Sequence, residues 1–290
     1  VSNYSVTDHS TITADITAKA LTVSGITASD KTYDGNAVAT LNTGSVLYSG
    51  LINGDTFSGT YTGAFNNANA GTSKTVTITP SYTGADVSNY SVTDHSTITA
   101  DIAVKALTAT ASASNKTYDG TTTATTTLTF SGLVGSETLG QTVGSTFNNK
   151  NVGTGKTVTV NSITLADGTG LAANYSISPG QTTTADITAK SLTVSGITAS
   201  NKTYDATTTA TLNTGSVTYT GLVSGDDFNG TYTGAFSDKN VGTSKTVTIT
   251  PSYAGADVSN YSVTDHSTIT ADVTAKALTV SGITASDKTY

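Results

Sequence analysis

The feature that most constrains this chain is a period. Lys-Thr-Tyr places tyrosines at Tyr33, Tyr118, Tyr204 and Tyr290, which are 85, 86 and 86 residues apart. Asn-Tyr-Ser keeps the same register at Tyr4, Tyr90, Tyr175 and Tyr261, and Gly-Thr-(Ser/Gly)-Lys-Thr-Val-Thr begins at Gly71, Gly153 and Gly242. A fixed spacing of this size in three markers means a tandem array of one folded unit. Cutting before each Leu-Thr that follows Lys-Ala or Lys-Ser gives repeat 1 at 21–106, repeat 2 at 107–191 and repeat 3 at 192–277. Residues 1–20 then form the C-terminal part of a preceding repeat, and 278–290 the start of a following one. Residues 258–290 reproduce 1–33 except that Ile16 becomes Val273, so both ends fall inside a unit and a longer array is expected. Repeats 1 and 3 are close copies and repeat 2 diverges. Duplication of a longer block explains that pattern, and unlike neighbours also lower the risk of domain-swapped misassembly.

Composition then removes whole classes of chemistry. The chain has no Cys, Met, Trp or Arg, a single Glu (Glu137) and 65 Thr. Disulfide scaffolds, thiolate metal sites and arginine-driven phosphate recognition are excluded. A net charge of -7 with thirteen scattered lysines gives no cationic patch, so neither nucleic acid nor an anionic membrane surface is an expected partner. No run of apolar residues is long enough to span a bilayer, and no signal peptide opens the chain. The absent initiator Met suggests a processed product or an excised piece, and the absent cysteine fits an extracellular bacterial protein.

Period-two alternation identifies the local structure. Thr75-Val76-Thr77-Ile78-Thr79 puts two apolar side chains on one face and three threonines on the other, which is a strand with one buried and one wet side. Leu21-Thr22-Val23, Tyr90-Ser91-Val92 and Ile98-Thr99-Ala100-Asp101-Ile102 read the same way, between Gly, Asn and Asp clusters that read as turns. Threonine, β-branched and hydroxylated, favours strands over helices, so almost no helix is expected. Seven or eight short antiparallel strands per unit match the size of an immunoglobulin-like β-sandwich, without its cysteine pair and tryptophan. A β-solenoid is the competing fold, but it needs a sub-period near 20 residues that the unit lacks. At Ile16-Thr17-Ala18-Lys19-Ala20-Leu21, Lys105-Ala106-Leu107 and Lys190-Ser191-Leu192 the chain passes between units with no Gly, Pro or Ser-rich spacer. Such junctions limit bending, so the expected architecture is all-β, with tandem sandwiches of about 86 residues stacked end to end as a rod.

Candidate chemistry is sparse. The tyrosines of Lys-Thr-Tyr and Asn-Tyr-Ser suit core rings with hydroxyls tied to backbone, a binding platform being the alternative. Phe65, Phe147 and Phe236, each just before a Gly-Thr marker, suit the core. Asp8-His9-Ser10 recurs at Asp94-His95-Ser96 and Asp265-His266-Ser267, but neighbouring strand residues point to opposite faces and repeat 2 lacks the histidine, so no catalytic relay and no enzyme is expected. Calcium is the one cofactor with ligands on offer: Asp30 with Asp34, Asn115 with Asp119, and Asn201 with Asp205 stand near unit starts. The competing use of those residues is turn chemistry, and no cofactor is the expectation. A Lys to Asn or Asp isopeptide bond lacks an evident buried acid. The Thr runs lack the short regular interval of an ice-binding face. Sequons at Asn3, Asn89, Asn115, Asn174, Asn201, Asn229 and Asn260 read as by-products of abundant Asn and Thr.

Leu-Thr-Val-Ser-Gly-Ile-Thr-Ala-Ser-Asp-Lys-Thr-Tyr-Asp-Gly at 21–35, Gly-Thr-Ser-Lys-Thr-Val-Thr at 71–77 and Asn-Tyr-Ser at 89–91 together resemble the YDG repeat of bacterial surface proteins. That family occurs as tandem arrays in very large secreted or surface-attached proteins described as filamentous-haemagglutinin-like adhesins, often beside immunoglobulin-like repeats. The resemblance implies a stalk or fibre outside the cell or on the bacterial surface. Its partners would be neighbouring repeats and, through strand edges, other rods, with a carbohydrate- or surface-binding module as the alternative. Ala206 departs from the motif glycine seen at Gly35 and Gly120. Because alanine tolerates a left-handed backbone poorly, that conformation is not expected to be required there.

Overall fold

A computed structural model describes residues 3–290. Among them the chain is all-β apart from three single 3-10 turns at Val87–Asn89, Ala172–Asn174 and Val258–Asn260. Repeat 1 shows the plan. Its strands are β1 (Lys19–Ser24), β2 (Thr27–Ala28), β3 (Lys31–Thr32), β4 (Val38–Ala39), β5 (Leu41–Asn42), β6 (Leu47–Ser49), β7 (Ser58–Phe65), β8 (Gly71–Thr83), β9 (Tyr90–Thr93) and β10 (Thr97–Ala103). They form a three-stranded sheet in the order β6-β1-β9, a five-stranded sheet in the order β3-β10-β8-β7-β4, and a short β2-β5 ladder. Repeat 3 reproduces all three, with Thr218–Thr220, Lys190–Ser195 and Tyr261–Thr264 as its smaller sheet. Repeat 2 keeps the five-stranded order with Lys116–Thr117, Thr182–Thr188, Gly153–Asp167, Leu139–Phe147 and Thr123–Ala124.

The alternation in the sequence becomes the layering of the fold. Along β8, Val76 and Ile78 are buried while Thr75, Thr77 and Thr79 are exposed, and β7 lies antiparallel to it with Phe65 opposite Val76. The faces of the two sheets meet where Val23 and Ile26 pack on Ile78, filled out by Tyr48, Tyr61, Tyr82 and Val92. Leu21, Val23, Val76 and Ile102 are almost wholly withdrawn from water. A Val or Leu buried to this degree contributes about 1.5–3 kcal/mol.

Two pairings are parallel where antiparallel strands were expected: β1 with β9, and β3 with β10. The cause is the route of the chain. β9 and β10 lie in different sheets, and both β1 and β9 start at the end of the repeat that meets its predecessor, Lys19 standing opposite Tyr90. The Gly-Thr-(Ser/Gly)-Lys marker also finds its reason here. The β8–β10 register shifts between Ala100 and Ile102, and Ser73 takes a left-handed φ of 49° with its N–H 2.7 Å from Asp101 Oδ1. Ser244 with Asp272 and Gly155 with Asp186 repeat that bulge.

Between repeats only Val104 separates Thr97–Ala103 from Lys105–Ala106, and only Ala189 separates Thr182–Thr188 from Lys190–Ser195. Packing divides the chain into two compact units that straddle these boundaries. One runs to Thr110 and adds Thr129–Thr142 and Ile163–Ser178; the other comprises Ala111–Leu128, Val143–Ser162 and Pro179–Tyr290. Each unit therefore contains one repeat boundary within its own core. In the first, Tyr33, Phe65, Val76 and Ile102 of repeat 1 share a cluster with Leu107 and Tyr175 of repeat 2. In the second, Tyr118, Phe147 and Ile187 of repeat 2 share one with Leu192, Phe228 and Tyr261 of repeat 3.

Candidate functional site

Each Lys-Thr-Tyr-Asp segment folds into a turn that its own lysine ties down. Lys31 Nζ lies 2.8 Å from Asp34 Oδ1 and 2.8 Å from the Asn36 carbonyl oxygen, with the ammonium 5.6 Å from the centre of the Phe65 ring. Asp34 Oδ1 also accepts from the Asn36 N–H at 3.1 Å, an Asx turn. Lys116 with Asp119 and Phe147, and Lys202 with Asp205 and Phe236, repeat the arrangement. The residue after the aspartate is left-handed in every copy: φ is 80° at Gly35, 78° at Gly120 and 68° at Ala206. Ala206 therefore overturns the sequence expectation. The lysine and the Asx turn fix the chain path strongly enough to hold an alanine where glycine is favoured.

The turn delivers its tyrosine into the next repeat. Tyr33 and Tyr118 are buried, and each meets the Asn-Tyr-Ser tyrosine of the following repeat edge to face, at 5.4 Å (Tyr33 with Tyr175) and 5.6 Å (Tyr118 with Tyr261) between ring centres. A single carboxylate joins the two hydroxyls. At the first boundary Tyr33 and Tyr175 each donate to Glu137 at 2.6 Å, to Oε1 and Oε2 respectively. At the second, Tyr118 and Tyr261 both donate to Asp226 Oδ2, at 2.8 and 2.5 Å. The Tyr175 and Tyr261 hydroxyls also accept from the N–H groups of Val134 and Val223, both at 2.9 Å. An asparagine completes each clasp from the side: Ala70 N–H donates to Asn174 Oδ1 and Val152 N–H to Asn260 Oδ1, both at 2.9 Å.

The electrostatics follow from burial and these bonds. Tyr33 is pushed up to about 12 by donating to Glu137 and by burial, and Tyr261 to about 12 by burial and by donating to Asp226. Burial raises Asp226, but hydrogen bonds from Tyr261, Lys150 and Tyr118 hold it below the usual carboxylate range. Lys150 bridges Asp226 Oδ1 at 3.0 Å and Asp257 Oδ1 at 2.9 Å, which lifts its own pKa well above that of free lysine and lowers Asp257.

Comparison with family models matches the YDG domain three times, over residues 17–100, 103–185 and 188–271. The chain belongs to the YDG-domain family. Neither the curated proteins nor the solved structures contain a match to it. Tyr33, Tyr118, Tyr175 and Tyr261 are buried rings, and the Tyr175 and Tyr261 hydroxyls bond backbone N–H groups as the sequence reading expected, but they also make the boundary between one YDG domain and the next, a role it did not reach.

The remaining candidates find other uses within the YDG fold. Phe65, Phe147 and Phe236 are buried. Asp94 and Asp265, from the Asp-His-Ser segments, accept from Tyr82 and Tyr253 at 2.7 Å. Asp30, Asn115 and Asn201 accept from the N–H groups of Asp101, Asp186 and Asp272, each at 2.7 Å, and so tie β3-type turns to the last strand. Asp34, Asp119 and Asp205 are engaged by their lysines. Among the described residues no group of three or more acidic, His or Cys side chains is gathered as a metal site. Of the sequons, Asn174 and Asn260 are buried in clasps. Lys150, Glu137 and Asp226 escaped sequence reading. The signal was available in Glu137, the sole glutamate, which stands where repeats 1 and 3 carry Asp55 and Asp226.

Proposed function

We propose that this chain is a structural stalk or fibre segment of a large secreted or cell-surface bacterial adhesin or extracellular matrix filament. Its YDG domains, immunoglobulin-like in their layering, hold a terminal binding element at a distance or build filament bulk. The observation that carries this reading is the boundary: one linking residue, a buried ring pair and a shared carboxylate at each of the two internal repeat boundaries. A spacer needs neighbours that do not swing freely, and a hydrophobic contact locked by charge-assisted hydrogen bonds supplies that. The Thr-covered, acidic exterior keeps such a rod dissolved.

With strands rising about 3.3 Å per residue, each repeat should add about 35–45 Å. Small-angle scattering of the 290-residue chain should then give a rod about 100 Å or more long by the same rise per residue. A particle with the radius of gyration of a compact globule of this length overturns the reading. A glycan array tests the binding-module alternative, since saturable binding there would move function from spacing to recognition. A melting curve that is unchanged by chelator is expected, because the acidic side chains near the repeat starts already serve lysines and turns.

A further inference from the structure

The first and last strands of a repeat run side by side in one direction. In repeat 1 Lys19 stands opposite Tyr90 and Lys31 opposite Ile102, an offset of 71 residues at both places. The stretch from β1 to β3 therefore follows the stretch from β9 to β10 in a single parallel register, although the two pairs lie in different sheets. Two further bonds keep that register: the Asp101 N–H donates to Asp30 Oδ1 at 2.7 Å, and the Tyr33 N–H to the Ala103 carbonyl oxygen at 2.9 Å. Repeat 3 has the same layout, with Lys190 opposite Tyr261, Lys202 opposite Val273, and the Asp272 N–H on Asn201 Oδ1.

This pairing has a mechanical consequence. The chain enters repeat 1 at Lys19, where one partner starts, and leaves it at Ala103, where the other finishes, passing through Val104 alone into Lys105 of repeat 2. Entry and exit thus lie at opposite ends of the paired stretch, and tension along the chain acts to slide the partners past each other. Ladder bonds bridge from strand to strand at even spacing, so in that direction every rung meets the load together. Had the first and last strands been an antiparallel pair, entry and exit would share one end and the rungs would open one at a time. Resistance to a pull is set by the rate of unfolding rather than by equilibrium stability, so a small domain can still be hard to extend.

Repeat 2 departs from the plan. Lys105 stands opposite Tyr175, an offset of 70, while Lys116 stands opposite Ile187, again 71. The slip comes from one missing residue, because Lys116 follows Lys105 by 11 positions where Lys31 follows Lys19 by 12, and Gly25 has no counterpart. Pro179, which has no N–H to give a ladder, stands where repeats 1 and 3 carry Asp94 and Asp265. The first ladder accordingly pairs two residues instead of four, extended only by the Leu107 N–H on the Ser176 carbonyl oxygen at 2.8 Å. Ala109 and Ala111 also replace the core residues Val23 and Ile26.

We infer that the parallel register is a mechanical clamp, loaded in shear by a pull along the chain, and that its shortened form makes repeat 2 the first to give way. Repeat 2 then extends while repeats 1 and 3 stay folded. That tension reaches these domains at all rests on the stalk reading; the clamp is a property of each domain.

Single-molecule force spectroscopy of the 290-residue chain tests both parts, and the lack of native cysteine lets the points of pulling be chosen. Ala18→Cys with Val104→Cys stretches repeat 1 in shear, whereas Ala18→Cys with Ser88→Cys pulls β1 and β9 apart from one end; all three positions are exposed. The shear pair is expected to need about two to four times the force, because four paired residues meet the load together instead of in turn. Val104→Cys with Ala189→Cys, and Ala189→Cys with Ala275→Cys, stretch repeats 2 and 3 in the same geometry, again from exposed positions. Repeat 3 should match repeat 1, and repeat 2 should yield at about half their force, the ratio of its two first-ladder pairs to their four. Equal forces for the two pulls on repeat 1 overturn the clamp, and a repeat 2 that holds as much force as its neighbours overturns its place as the first to yield. Rod length is read separately by scattering, so a compact particle that still resists shear would remove the stalk and leave the clamp.

Discussion

The boundary at Glu137 and the boundary at Asp226 hold the same pair of rings by different electrostatics. At the first, a glutamate spreads two oxygens over two tyrosines and pairs with no lysine among the described residues. At the second, a shorter aspartate gathers both hydroxyls on one oxygen and gives the other to Lys150, which Asp257 shares. The ring pair and the asparagine clasp are the constant part, fixing geometry. The charges are the variable part, and they are exchanged as a set, because a lysine without its second acid or a second acid without its lysine leaves a charge poorly paired in a partly buried place. At these two boundaries the ring geometry is thus shared and the charge arrangement is what differs.

The largest effect is expected from breaking the charged set. Lys150→Met leaves Asp226, whose side chain is 3% exposed, beside Asp257 with no cation between them. Removing one partner of a buried ion pair costs 3–5 kcal/mol, and the partial exposure of Lys150 reduces this to about 2–3 kcal/mol, read as a lowered urea midpoint. Ala68→Lys at the other boundary should change stability by less than about 0.5 kcal/mol, since both Glu137 oxygens are already engaged by tyrosines and Leu171 stands where the second acid would be.

Acid and alkali separate the two boundaries next. Asp226 and Asp257 have folded pKa values below their ordinary ones, so their contribution is present above about pH 4 and is lost as pH falls further. In Lys150→Met the two acids repel and their folded values rise, so the sign reverses, and lowering pH from 7 to 5 should raise the melting temperature. The tyrosines act at the other end of the scale. Tyr33 and Tyr261, lifted from 10.0 to about 12, bind protons in the folded chain that the unfolded chain has released, so stability should fall as pH rises from 10 to 12 at both boundaries. Thermal melts across pH 3–12 with wild type and Lys150→Met show both limbs.

Removing one hydroxyl gives a smaller, asymmetric result. In Tyr33→Phe, Glu137 Oε1 loses the tyrosine bond that held it, a cost of about 1.5–2 kcal/mol for a bond to a charged group. In Tyr118→Phe, Asp226 keeps Tyr261 and Lys150, and about 1 kcal/mol is expected. Equal losses in urea unfolding would mean that the lysine contributes nothing to holding the carboxylate.

The repeat, the strand character and the buried faces of β8 and β10 were legible in sequence, because period two and period 86 are local or self-referential signals. The boundary was not. Tyr33 and Glu137 are 104 residues apart, and what joins them is an acid that one repeat spells Glu and the others Asp. Aligning the repeats against each other brings that position into view, but only the fold shows that it is read by the neighbour's tyrosine rather than its own. The parallel strands escaped for a similar reason: strand direction depends on which sheet β9 and β10 enter, and the Asp-His-Ser crossover between them carries no turn signature that distinguishes a hairpin from a change of layer.

The smallest effect comes from the residue that sequence reasoning misjudged. Ala206 holds φ at 68° because Asp205 Oδ1 accepts from the Thr207 N–H at 2.9 Å and Lys202 Nζ reaches the Thr207 carbonyl oxygen at 2.8 Å, so the turn cannot relax around the methyl. Alanine in that region is strained by about 1 kcal/mol relative to glycine, while glycine gives back part of this through the greater freedom of its unfolded chain. Ala206→Gly should therefore stabilise the chain by about 0.5 kcal/mol, whereas Gly120→Ala should destabilise it by more, because there the same strain is joined by a Cβ 2.8 Å from Val223. The pair of variants separates backbone strain, present in both turns, from the pressure of Val223 of the following repeat at Gly120.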